Sequence, residues 1–215
     1  MEAPLVSPGG GNGGRRPLCE GCRRPLSACW CACVRPVENL SPLLILQDPG
    51  EAGQAKGTAA LLARCLRQAK LRVGERFEAP VSIEGLVLLY PETRGDLTLA
   101  TPALWRPSLA SRHGLTTLIV LDGTWRRSRR LLHLNPWLQT LPRLALEAPP
   151  PSRYAIRKAQ APLQRSTLEA CALALAALDG DEARYAPLWQ AMEEFVALHQ
   201  RLADTPSPRG RNGAR

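Results

Sequence analysis

The chain has 215 residues, 45% of them apolar. That suffices for one cored domain with small appendages, or at most two small domains. Its formal charge of +9 suggests a polyanionic partner such as nucleic acid, the plainer reading being a merely basic surface. Aromatic residues at only 5% argue against a stacking platform for bare single strands. No apolar run approaches the roughly 18–20 residues of a membrane span. The opening "MEAPLVSPGGGNGGRRP" lacks the apolar stretch of a secretory signal, so a cytoplasmic protein without membrane contact is expected.

In chain order, residues 1–17 are Gly- and Pro-rich and read as disordered. "LCEGCRRPLSACWCAC" follows, holding five of the seven cysteines in a C-x2-C-x6-C-x-C-x-C pattern. Odd-numbered, clustered cysteines argue for metal rather than a disulfide framework. Cys19 and Cys22 have the spacing of a zinc knuckle, and Cys29 and Cys31 complete a four-thiolate structural Zn2+ site, with Cys33 a spare or a replacement for Cys31. Unliganded thiols or a redox pair are the alternative. Four thiolates around zinc carry a net charge of about −2, which leaves the chain basic at about +7. The knuckle is assigned to residues 18–36 and the main domain to 37–204.

Within that domain, short apolar runs predict strands at 43–47, 71–77, 85–91, 116–122 and 143–147, and helices at about 56–69, 101–111, 124–134, 165–178 and 186–203. Near-continuous apolar strands alternating with helices predict an α/β fold with a parallel sheet buried on both faces. Leu168, Cys171, Leu175 and Leu178 form one helical stripe, stopped by Asp179-Gly180. Leu188, Met192, Phe195, His199 and Leu202 form another. Cys65 and Cys171 belong to the core by their apolar helix faces. The Pro-rich connection from Glu147 to Leu163 is long enough to suggest function. Residues 205–215 read as a disordered basic tail.

Three strand ends are polar. "QDPGEAGQAKGT" follows the first strand, "LLYPET" ends the third, and "LDGTW" ends the fourth. Ligands of open α/β sheets bind beyond such ends. The first is neither a Walker loop nor a dinucleotide-binding turn. At the last, Asp122 is followed by Gly123, which permits close backbone approach, and by Thr124, a natural N-cap. The plainer reading of Asp122 by itself is a helix cap or the partner of a neighbouring arginine. Four arginines then fall within five residues: Arg126, Arg129 and Arg130 on one helical face, with Arg127 at its edge. Of the three histidines, His199 reads as a half-buried helix residue, His113 as a loop residue, and His133 as solvent-exposed or phosphate-facing. No order of residues suggests a Ser-His-Asp or Cys-His catalytic set.

Together these residues resemble the DTW-domain family, the tRNA-uridine aminocarboxypropyltransferases. The signature D-x-T-W is Asp122-Gly123-Thr124-Trp125. The cysteine knuckle, "QDPGEAGQAKGT", "LLYP", "YAIRKAQ" at 154–160 and "STLEA" at 166–170 match in the family's order, across roughly residues 18–200. One position departs: the family has His or Thr-Glu before the proline of the first loop, where this chain has Asp48.

The resemblance implies a SPOUT-like sheet between helices, with a knotted C-terminal half that holds S-adenosylmethionine. It implies transfer of that donor's 3-amino-3-carboxypropyl group to N3 of a tRNA uridine. The implied donor pocket takes Gln47 and Thr58 from the first loop, Tyr90 and Pro91 from the second, and Leu121, Thr124 and Trp125 around the signature. Ser166 and Thr167 complete it. Asp122 is the candidate catalytic base or a ligand of the donor's ammonium group. Arg126, Arg127, Arg129, Arg130, Arg157 and Lys158 are the candidate RNA contacts, a solvated basic face being the alternative. Glu169 is either a helix N-terminal charge or a donor contact. The competing functions are a SPOUT-like RNA methyltransferase and a non-enzymatic zinc-knuckle RNA-binding module.

Overall fold

The computed structural model describes residues 17–93, 95–106, 116–146, 149–154 and 165–204. Five strands form one wholly parallel sheet: β1 (Leu43–Gln47), β2 (Ala69–Val73), β3 (Leu86–Leu89), β4 (Thr117–Asp122) and β5 (Arg143–Leu144), in the order β2-β1-β4-β3-β5. The helices are α1 (Pro49–Ala52), α2 (Ala59–Cys65), α3 (Trp125–Leu134), α4 (Pro136–Gln139), α5 (Thr167–Asp179) and α6 (Ala186–Asp204). No described helix is long and apolar enough to cross a membrane.

The apolar strand sequences are explained by two cores, one on each face. Side chains alternate along a strand, so Ile45, Val87, Leu118 and Val120 enter a core built with α2, α5 and α6. Their neighbours Leu46, Leu88, Ile119 and Leu121 enter a second core with Leu131, Leu132 and Leu138 of α3 and α4. Burying each such Leu, Ile or Val contributes about 1.5–3 kcal/mol. Trp30, Cys33 and Val37 join the first core, so the cysteine segment packs on the main domain.

The edges differ from the expectation of strands buried on both sides. β2 is a largely exposed edge strand whose Lys70 and Arg72 face solvent, a charge pattern that discourages edge-to-edge pairing. It also begins two residues before the predicted start and ends four before the predicted end, because pairing with β1 runs only from Ala69 to Val73. The predicted helix at 56–69 is correspondingly confined to 59–65.

The helix predicted over 101–111 is absent from 101–106; residues 107–111 lie outside the described part. There the backbone runs alongside β5 instead: Arg143 N donates to Ala103 O at 2.9 Å, and Trp105 N donates to Arg143 O at 2.7 Å. Tertiary pairing overrides the local helical pattern. β5 itself stops at Leu144, short of the predicted 147.

The helix starts follow their caps. Thr124 Oγ1 accepts from Arg127 N at 3.3 Å at the head of α3. At α5, Ser166 and Glu169 form a reciprocal capping box, and Gly180 at φ 66° ends the helix in the left-handed conformation.

Candidate active site and metal centre

Register places the site. Gln47 and Asp122 are paired residues at the ends of neighbouring β1 and β4, and Asp48 N continues the ladder by donating to Asp122 O at 3.0 Å. Both carboxylate oxygens of buried Asp122 are engaged. Gln47 Nε2 donates to Oδ2 at 2.7 Å, and the Thr167 hydroxyl donates to Oδ1. One carboxylate therefore joins β1, β4 and the first residue of α5, whose sequence positions are 47, 122 and 167. Thr58 belongs to the same cluster, its Oγ1 accepting from Leu168 N at 3.2 Å. Ser166 is used as the α5 cap.

The first strand-end loop is pinned from several sides. Arg127 reaches from α3 to Glu51 in an ion pair and to Asp48 Oδ1 at 3.4 Å. Both acids are nearly buried, with side-chain exposures of 6% and 8%. Position 48 thus caps α1 through Gly50 N and supplies half of an arginine clamp. A Cβ on Gly123 would stand 3.1 Å from Arg127 Cβ, so glycine lets the turn lie close against α3 in this chain. From the knuckle, Arg24 donates to Gln54 O at 2.6 Å and to Gly53 O at 3.4 Å. The Tyr154 hydroxyl donates to Lys56 O.

Glu169 is 1% exposed and saturated. It accepts from Ser152 Oγ, from Arg153 N at 2.7 Å and from Ser166 N at 2.9 Å. Its role is to cap α5 and tether the Pro-rich connection.

A second group lies at the end of β3. Tyr90 is buried and meets the exposed Trp125 edge-on, with ring centroids 5.8 Å apart. The Tyr90 hydroxyl lies 3.5 Å from Ser128 Oγ, and burial pushes the phenol pKa up. Pro91 and Thr124 are exposed and Leu121 is buried. Sequence reasoning missed Arg143, which is 1% exposed beneath this group, its guanidinium carbon 5.4 Å from the Tyr90 ring centroid. Its Nε and Nη2 have no hydrogen-bond partner among the described residues, and desolvation lowers its pKa. The strand pattern could have flagged it, since Arg143 alternates with Leu144 in a predicted buried run.

The arginine block divides. Arg126, Arg129 and Arg130, with His133 and Leu134, line an open depression of about 500 Å3. Arg129 also pairs with Asp96 at 2.7 Å and Arg130 with Glu75 at 2.9 Å, both partly exposed pairs of small energetic weight. Arg127 faces away, into the acidic loop. Arg157, Lys158 and His113 lie outside the described residues. His199 is half-buried against Phe195, and burial lowers its pKa.

In the knuckle, the sulfurs of Cys19, Cys22, Cys29 and Cys31 all lie within 4.8 Å of one another. The Cys19–Cys31 and Cys22–Cys29 separations are 3.6 and 3.7 Å. Tetrahedral Zn–S bonds of about 2.3 Å require S–S edges of roughly 3.8 Å, so the donor set fits zinc. Cys33 is buried in the core instead, as are Cys65 and Cys171. Hydrogen bonds led by the Cys22 backbone N–H hold the Cys19 pKa down at about 6, favouring the thiolate. Arg64 Nη1 lies 3.0 Å from Cys31 Sγ and its guanidinium stacks over Trp30, offsetting thiolate charge and tying the knuckle to α2.

Comparison with known proteins accounts for this convergence. The DTW domain pattern matches residues 16–200. The chain belongs to the DTW domain family. It is 31% identical over 201 residues to tRNA-uridine aminocarboxypropyltransferase 2 of Mus musculus, covering 86% of this chain and 65% of that protein. The Macaca fascicularis protein of the same name is also 31% identical, over 205 residues, with the same coverages. That of Drosophila melanogaster is 33% identical over 178 residues, covering 77% of this chain and 68% of the relative. The chain thus spans about two thirds of the length of these relatives. No solved structure matches it.

Proposed function

We propose that this protein is an enzyme that transfers the 3-amino-3-carboxypropyl group of S-adenosylmethionine to N3 of a uridine in tRNA. The products are 3-(3-amino-3-carboxypropyl)uridine and methylthioadenosine. The observation that carries the reading is the convergence of Gln47, Asp122 and Thr167, from three family motifs, on one buried carboxylate. The names of the relatives support the same reaction and substrate class.

The donor supplies a sulfonium that activates the carbon to be transferred, so the protein's task is largely positioning. Gln47 and Thr167 fix the Asp122 carboxylate, which accepts the N3 proton as the base attacks. Tyr90, just beyond the end of neighbouring β3, and Trp125, at the head of α3, would flank the bound donor. The buried, unsatisfied Arg143 nitrogens fit a ligand that brings acceptors. N3 lies on the Watson–Crick edge, so the target base is unpaired or flipped from its stack. Arg126, Arg129 and Arg130 face the flanking phosphates, with Arg157 and Lys158 adding contacts. Arg127 is the exception, and positions the acidic loop.

The strand order and parallel ladder support a SPOUT-like fold with a knotted C-terminal half. The four-sulfur geometry supports structural zinc. Thiolate-bound zinc is suited to the reducing cytoplasm, where we place the reaction.

Mass spectrometry of unmodified tRNA incubated with protein and S-adenosylmethionine tests the proposal. A gain of about 101 Da on uridine with release of methylthioadenosine is expected. A gain of about 14 Da would make the protein a methyltransferase instead. No gain and no donor binding would leave an RNA-binding module.

A further inference from the structure

Arg143 opens β5 with its backbone locked on one side to β3 and on the other to the 103–105 segment. The side chain therefore has little freedom to leave. Among the described residues only Nη1 has an acceptor, Leu138 O, at a long 3.4 Å. Nε and Nη2 are buried without a partner among the described residues. A guanidinium stays protonated in proteins, and its planar fork is the geometry that pairs with a carboxylate through two parallel hydrogen bonds. Buried and unsatisfied, such a fork is unfavourable until an acceptor arrives.

There is space for one. Arg143 lines a cavity of about 240 Å3 together with Glu92, Thr93, Thr101 and the 102–104 segment. That volume takes a small group of heavy atoms, such as one arm of a larger ligand. Tyr90 links Arg143 to the Asp122-Gly123-Thr124-Trp125 turn, since its ring contacts Arg143 on one hand and Trp125 on the other. A cationic fork in a cavity that the acidic Glu92 also lines favours a zwitterion over a dianionic phosphate. The depth of Arg143 also excludes a phosphate within a continuous RNA backbone.

We propose that the Arg143 cavity is a carboxylate subsite that takes the α-carboxylate of the donor's amino-acid arm. Arg143 thereby selects a donor that carries the group to be transferred, and it orients that arm against the strand-end site. This inference rests on the function proposed above.

Calorimetric titration of the full chain tests it with three probes: S-adenosylmethionine, its decarboxylated analogue, and methylthioadenosine, which lacks the arm. The wild type should bind S-adenosylmethionine at least about 10-fold more tightly than the decarboxylated analogue, as a charge-assisted bidentate pair requires. Arg143→Gln should erase that preference while leaving methylthioadenosine binding within about twofold. Arg143→Lys, which keeps the charge without the fork, should retain part of it and guards against a folding defect in the glutamine variant.

Equal wild-type affinity for the carboxylated and decarboxylated probes would overturn the subsite and leave the proposed function standing. So would an undiminished preference in Arg143→Gln, or parallel loss of methylthioadenosine binding in both variants. Displacement of S-adenosylmethionine by inorganic phosphate, with methylthioadenosine still bound, would reassign the cavity to phosphate. Failure of the wild type to bind any adenosine probe would defeat the proposed function and the subsite together.

Discussion

Replacing Asp122 by Asn tests the strand-end site through two separate quantities. Asp122 accepts one hydrogen bond from Gln47 and one from Thr167, and it is 7% exposed. The amide is nearly isosteric. Its oxygen can still accept from Gln47, while its NH2 can donate to the Thr167 oxygen. Both contacts survive as neutral bonds of about 0.5–1.5 kcal/mol, in place of charged ones of about 1.5–3 kcal/mol. The gross loss is about 2–3 kcal/mol. Relief of a buried charge offsets part of it, leaving about 1–2 kcal/mol. At roughly 2–4 °C per kcal/mol for a chain of this size, Tm should fall by roughly 2–8 °C in a thermal melt. Turnover should fall by about 10²- to 10⁴-fold as general-base capacity is lost. An unchanged or higher Tm would refute the hydrogen-bond reasoning. Near-normal turnover in the folded variant would refute the catalytic assignment, whatever the melt showed.

Three further perturbations separate the remaining parts of the molecule. Cys19→Ser should lower bound zinc measured by atomic emission and reduce Tm, because the knuckle adjoins Trp30 and Cys33 of the main core; a metal-free wild type of equal stability would sink the zinc assignment. The arginines of α3 should split by role. Arg126→Ala with Arg130→Ala should flatten the salt dependence of tRNA binding by about 1.5–2 in log–log slope, an unchanged slope assigning these residues elsewhere. Arg127→Met should instead cost about 1–2 kcal/mol in denaturant unfolding, since it removes the cation shared by two nearly buried carboxylates while the arginine itself is 37% exposed; a loss below about 0.5 kcal/mol would refute the clamp.

The division between what was legible in the chain and what was not follows the range of the interactions. Apolar strands such as "TLIVLD" report burial on both faces, and Thr124 and Ser166 announce helix starts, because alternation and capping act within a few residues. Cys19, Cys22, Cys29 and Cys31 were readable for the same reason: a knuckle closes within one short segment. The motif residues Asp122 and Thr167 were recognisable, although their contact was not.

The tertiary structure decided what depends on distant partners. The helix expected over 101–111 gave way across 101–106 to pairing with β5, since local propensity is weaker than a sheet ladder supplied from forty residues away. Arg127, one of four adjacent arginines, turned to Asp48 and Glu51 because the β1–β4 register sets that loop beneath α3. Cys33 entered the core rather than the metal cluster, a choice that spacing left open. Arg143 sits among apolar neighbours in sequence, and only the packing of β5 against Tyr90 and the 101–104 segment shows that its charge is buried, unsatisfied among the described residues and facing a cavity. Sequence by itself determined the alternation, the caps and the clustered thiols; which charges meet, and which is left waiting for a ligand, was settled when β1, β4 and β5 took their places, because electrostatic partners are chosen by proximity in space and not along the chain.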